Sequence, residues 1–126
     1  MKNLTVYDLA KILQLDNRIQ EKLRKEYNGY NANLQYDILN ILWNGVFELK
    51  TRLAKNKYEL FLQEVDEGKR ELNSNLYQEA VKAVWKDFEN ILAGYNKMEE
   101  TQQIQEAREK LQSSLTSIQD SSKTSN

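Results

Sequence analysis

The sequence predicts an all-α protein: a long antiparallel helical hairpin with two short N-terminal helices packed at its base, in effect a small helical bundle. Three observations predict it. Val81, Val84, Phe88, Ile91, Tyr95 and Met98 recur three and four residues apart without a miss, which is helical spacing and not the alternation of a strand. Leu39, Leu42, Val46, Leu49 and Leu53 form a second such stripe, which continues one position out of step as Tyr58, Phe61 and Val65. The 126 residues hold no proline and four glycines, as a chain made almost wholly of helix would.

In chain order, Thr5 followed by Asp8 has the spacing of a capping box, with Asp in place of Glu. A short helix follows, about 6–14, with Leu9, Ile12 and Leu13 on its apolar face. Leu15-Asp16-Asn17 breaks it, and Asp16 can cap a second helix, about 17–27, bearing Ile19, Leu23 and Tyr27. Residues 28–33, rich in Asn with one Gly, read as a loop. The first long arm spans about 34–67. Around Ile38–Glu48 it is apolar nearly all round, which requires burial and places the two short helices over it in a four-helix core.

Gly68 is the natural C-cap of that arm, because it takes a left-handed conformation cheaply. Asn73, Ser74 or Asn75 can cap the second arm, which reads as helix over about 74–118. Its pattern stumbles at Glu99–Gln103 and resumes as Ile104, Ala107, Leu111, Leu115 and Ile118. Residues 1–120 read as one helical domain and 121–126 as a disordered tail. A fold-back at Gly68 sets Gly45 opposite Gly94, which suggests a close approach of the two arms, since each glycine inside a helix costs about 1 kcal/mol against alanine.

Composition removes much chemistry. There is no histidine and no cysteine, which takes away the commonest general base, thiol nucleophiles and zinc sites. Serine occurs at Ser74 and otherwise only from Ser113 onward, and no Gly-rich phosphate loop is present. The acidic run Glu64–Gly68 lacks the alternating oxygen ligands of a calcium loop. No catalytic residue, cofactor, metal or small-molecule ligand is therefore expected. The net charge of −1 gives no general pull toward nucleic acid or anionic membrane. The opening Met1–Asp8 lacks the apolar run of a signal peptide and no span approaches membrane length, so a cytoplasmic protein is expected.

Two apolar places lack a cover in this arrangement. One is Val81, Val84, Trp85 and Phe88 on the second arm, where plain core packing of Trp85 against Tyr58 and Phe61 is the alternative. The other is Ile104, Leu111, Leu115 and Ile118, which either folds over the two short helices or pairs with a second copy. Together they point to a non-catalytic protein-interaction or scaffold module, with a protein partner or self-association.

Basic residues cluster twice, at Arg18, Lys22, Arg24 and Lys25 and at Lys50, Arg52, Lys55 and Lys57. Interleaved acids at helical spacing read as surface ion pairs. The run Leu9-Ala10-Lys11-Ile12-Leu13-Gln14-Leu15-Asp16, followed by Ile19 and Leu23, resembles a helix-turn-helix, with Gln14 where the turn usually carries Gly. That resemblance implies a nucleic-acid-binding regulator in which Asn17, Arg18, Gln20, Glu21 and Arg24 face a groove. The first thirty residues hold six basic against four acidic side chains, a slight excess that favours the interaction module.

Overall fold

The computed structural model describes residues 3–94 and 102–124. Among them are five α-helices, one 3-10 turn and no strand, so the all-α reading holds. The helices are α1 Val6–Ile12, α2 Asn17–Glu26, α3 Ala32–Asp66, α4 Leu76–Leu92 and α5 Gln102–Thr124. The chain divides into two compact units, Met1–Val46 with Glu99–Asn126, and Phe47–Met98. Helix α3 contributes residues to both.

In the first unit, α1 opens on the expected capping box. Asp8 N–H donates to Thr5 Oγ1 at 3.2 Å, and Thr5 N–H donates to Asp8 Oδ2 at 3.0 Å. α1 ends at Ile12, earlier than the periodicity predicts, because Gln14 turns to φ +52° and lets Leu15 N–H reach the Ala10 carbonyl at 3.1 Å. Asp16 stands at the N-cap of α2, but its carboxylate caps nothing. It is exposed, so water can serve the free amides there. α3 starts at Ala32, two residues before the expected arm, because Asn31 Oδ1 accepts from Leu34 N–H at 2.9 Å.

The core of this unit is Val6, Leu9, Ile12, Leu13, Leu15, Leu23, Leu34, Ile38, Leu42 and Val46, closed by Ile104 and Leu115 of α5. Four helices do share this core, but the fourth is α5 and not the second arm of the hairpin as the sequence suggests. Gly45 marks a close approach, as expected, but with a different partner. A Cβ built on it would stand 3.0 Å from Leu111 Cδ2 and 3.4 Å from Leu13 Cδ1. Gly94 has open space where its Cβ would be and lies at φ +82° just past the end of α4.

That glycine also corrects the continuous helix over 74–118. α4 ends at Leu92 with Ala93 as its cap, and helix resumes only at Gln102. Tyr95 and Met98, the last two residues of the stripe, lie outside the described residues. At the other end α5 runs to Thr124, through positions that composition assigns to a tail from Ser121. Gln119, buried and bonded to the Tyr30 hydroxyl, anchors the helix one turn upstream. Residues 125–126 lie outside the described ones.

The second unit is a two-helix hairpin. Gly68, at φ +76°, ends the α3 arm as expected, and Lys69 N–H reaches the Glu64 carbonyl at 2.8 Å. Arg70 ties the corner down. Its guanidinium lies 3.8 Å over the Phe61 ring, 3.0 Å from Glu64 Oε2 and 3.5 Å from Glu79 Oε2. Asn73 Oδ1 accepts from Asn75 N–H at 2.8 Å, an Asx turn that leads into α4 at Leu76 and not at 74. Leu49, Leu53 and Ala54 of α3 are buried in this unit, as are Leu76, Ala80, Val84, Phe88 and Ile91 of α4.

Candidate functional site

The eight residues singled out for partner binding divide sharply. Val84 and Phe88 are fully buried within the hairpin. Ile104 and Leu115 are buried in the first unit by this chain's own helices, and Leu111 is half-buried where it meets Gly45. Three polar contacts fix α5 along the same seam. Arg108 Nε donates to the Leu13 carbonyl at 2.7 Å, Asp16 N–H donates to Gln112 Oε1 at 2.6 Å, and Gln119 Nε2 donates to the Tyr30 hydroxyl at 3.3 Å. Of the two fates open to Ile104–Ile118, the structure adopts the fold-back over the short helices. Val81, Trp85 and Ile118 remain half-buried.

Two contacts orient the hairpin and define its open side. On one flank Lys57 Nζ is 3.1 Å from Asp87. On the other the rings of Tyr58 and Tyr77 meet edge-on at 5.5 Å. Lys57 and Tyr58 are neighbours in sequence, about 100° apart around α3, so these contacts lie on opposite sides of the seam. The tyrosine flank continues one turn along α3 to Leu62, and along α4 to Val81 and Trp85 at four-residue spacing. Tyr58, Leu62, Val81 and Trp85 are half-buried, and Tyr77 is 44% exposed. The Trp85 ring packs edge-on against Phe88 at 5.4 Å, while Phe61 is taken by Arg70. The ring pairs are Tyr58 with Tyr77 and Trp85 with Phe88.

Exposed apolar surface concentrates in this unit. Among the described residues five large apolar side chains are exposed, and Phe47, Leu60, Leu72 and Tyr77, four of the five, belong to the hairpin. The sequence argument missed Leu62, Leu72 and Tyr77. The four-residue step from Tyr77 through Val81 to Trp85 was the available signal.

The basic clusters also part company. At mid-arm, Arg52 pairs with Glu48 at 3.0 Å and Lys57 with Asp87, as charge interleaving predicts. On α2, Lys25 pairs with Glu21 at 3.3 Å, but among the described residues Arg18, Lys22 and Arg24 make no ion pair. Gln20 does not face outward as the helix-turn-helix resemblance requires. It is half-buried, and its Nε2 donates to the Leu15 carbonyl at 2.7 Å.

Two further features belong to the first unit. Tyr27 sits edge-on to Tyr7 and to Tyr30, with ring centroids 6.2 and 6.4 Å away. Tyr30 donates to Glu26 Oε2 at 2.8 Å. Burial, and then that bond and the Glu26 charge, push the Tyr30 phenol up to about 12. An open groove of about 570 Å³ lies between α2 and α5, lined by Ile19, Glu109, Gln112, Ser113, Thr116 and Ser117. Among the described residues no three His, Cys, Asp or Glu side chains converge as metal ligands would, and no helix is long and apolar enough to cross a membrane.

Comparison with protein-family models, with curated proteins and with solved structures finds no match.

Proposed function

We propose that this protein is a non-catalytic helical module of the cytoplasm that binds another polypeptide, and that it does so through the Phe47–Met98 hairpin. The observation that carries the reading is the uneven distribution of exposed apolar surface. Four of the five large exposed apolar side chains among the described residues fall in the two-helix unit. Two helices enclose only the seam between them, so the flank bearing Tyr58, Leu62, Tyr77, Val81 and Trp85 is covered only in part, with Tyr77 exposed and the other four half-buried. A half-buried tryptophan on the same flank as two tyrosines is the composition of an interaction anchor, because such rings offer large contact area at little entropic cost. Helical hairpins with an open flank commonly receive a third helix there.

The test is site-specific photo-crosslinking in the source cells. A photoreactive side chain is placed at Tyr77 or Leu72 of the hairpin and, for comparison, at exposed Lys11 of the first unit. The proposal expects one discrete protein adduct from the hairpin positions and none from Lys11. It also expects that Trp85→Glu, with helix content unchanged, removes the adduct. An adduct of twice the 14.9 kDa chain would identify the partner as a second copy. No adduct from either hairpin position, or equal adducts from Lys11, would overturn it.

A further inference from the structure

A second surface, on the first unit, has a different chemistry. α1, the turn at residues 13–16 and α2 pack as a helix pair with a four-residue connection. Gln14 takes the left-handed conformation, φ +52°, that such a turn usually reserves for glycine. Leu9, Ala10, Leu13, Leu15 and Leu23 are all buried beneath the pair, and Gln20 closes the turn by bonding the Leu15 carbonyl. Of the two departures from the pattern in sequence, Gln in place of Gly is absorbed by the backbone, while the apolar residues of α2 still fall one place early and Gln20 turns to the Leu15 carbonyl and leaves the outer face.

The outer face of α2 is exposed and polar. It presents Asn17, Arg18, Glu21, Arg24 and Lys25. Three of these are cations against one carboxylate, although the whole chain carries −1, and with Lys25 paired to Glu21 at 3.3 Å the unpaired excess among the described residues is Arg18 and Arg24. α5 braces the turn from the other side, through Arg108 to the Leu13 carbonyl and Gln112 to the Asp16 amide. The turn is thus held from α5, and the outer face of α2 is left exposed.

We propose that this helix pair is a DNA-binding helix-turn-helix, with α2 seated in the major groove of a duplex. The side-chain types fit the edges presented there. Arginine pairs with guanine, asparagine with adenine, and a glutamate accepts from cytosine. Asn17, Arg18 and Glu21, on the first turns of α2, are placed to meet base edges, and Arg24 and Lys25 to meet phosphates. This inference does not rest on the hairpin reading, since it uses other residues and another ligand.

The experiment is fluorescence anisotropy of a short random-sequence duplex titrated with the full chain, between about 50 and 200 mM salt. With Arg18, Arg24 and Lys25 all near phosphates in non-specific binding, affinity should fall about 40-fold across that range. Arg18→Ala with Arg24→Ala should weaken binding at low salt and reduce that fall to about fourfold. Arg52→Ala, at a paired surface position in the hairpin, should change neither. Amide shifts on adding the duplex should be confined to the turn and α2. The proposal is overturned by no binding at the lowest salt, by a double variant that binds as the parent does, or by shifts that map to residues 50–57.

Discussion

The two units are built from the same kind of amphipathic helix, yet only one of them closes. The first brings α1, α2, the start of α3 and α5 around one core, with thirteen buried apolar side chains among the described residues. The hairpin, a smaller unit, has eight, but it holds four of the five exposed large apolar side chains. The difference lies in helix number, not helix quality. α4 has as clean a stripe as any segment here, but one facing helix covers only one side of it. A third and fourth helix are what turn the half-buried residues of the first unit into fully buried ones. The surplus apolar surface of the chain therefore falls to the hairpin.

The comparison breaks most visibly at the two cores. Phe88→Ala removes the largest fully buried side chain and should cost about 3–5 kcal/mol. Denaturant melts should show the loss, and hydrogen exchange should place it in α4. Leu115→Ala should cost about 2–5 kcal/mol and release α5 first. If α4 loses protection together with α5 in that variant, the units are not separate in energy.

Smaller changes sharpen it. Thr5→Ala removes one half of the capping box and should cost about 1 kcal/mol, felt in the first unit alone. Gly45→Ala sets about 1 kcal/mol of helix propensity against a crowded Leu111. It should be close to neutral, and it should stabilise by about 1 kcal/mol when made in a Leu111→Ala background. Equal effects in both backgrounds would mean that Leu111 does not crowd Gly45.

The last effect is read at alkaline pH. The Tyr30 phenol is raised from 10.0 to about 12 by burial, then by its bond to Glu26 and that carboxylate's charge, with the Gln119 bond acting the other way. The folded protein thus holds this proton more tightly than the unfolded chain does. Its contribution to stability is complete below pH 10 and is lost as pH rises from about 10 to about 12. Tyr30→Phe should flatten that part of the stability curve, and it should also lower stability at neutral pH by about 1–3 kcal/mol, because buried Gln119 loses its acceptor. An unchanged alkaline slope would contradict the assignment.

Much of the fold was legible because its signals are local. Thr5 with Asp8 announces a helix start, Gly68 announces a helix end, and the Val81–Ile91 spacing announces a face. Periodicity states which face is buried but not what covers it. Hence Gly45 was rightly marked as a close approach and assigned the wrong neighbour, since Leu111 is 66 residues away in the chain. A lone glycine within a stripe is ambiguous, and Gly94 ended α4 where the pattern ran on. The candidate site was legible only in part. Val81 and Trp85 are on the open flank, but Val84 and Phe88, three residues from each, turn inward. Distinguishing them needs the direction of the partner helix, which the Tyr58–Tyr77 and Lys57–Asp87 contacts supply.

The central claim is that α5 closes the first unit within its own chain and so leaves the open apolar surface to the hairpin. Native-state hydrogen exchange of the full chain across a denaturant series tests it most directly. The account predicts that amides of α5 between Ile104 and Gln119 lose protection together with those of α1 and α2, after those of α4. Exchange of α5 at the rate of a free peptide, or α4 outlasting α5, would contradict it.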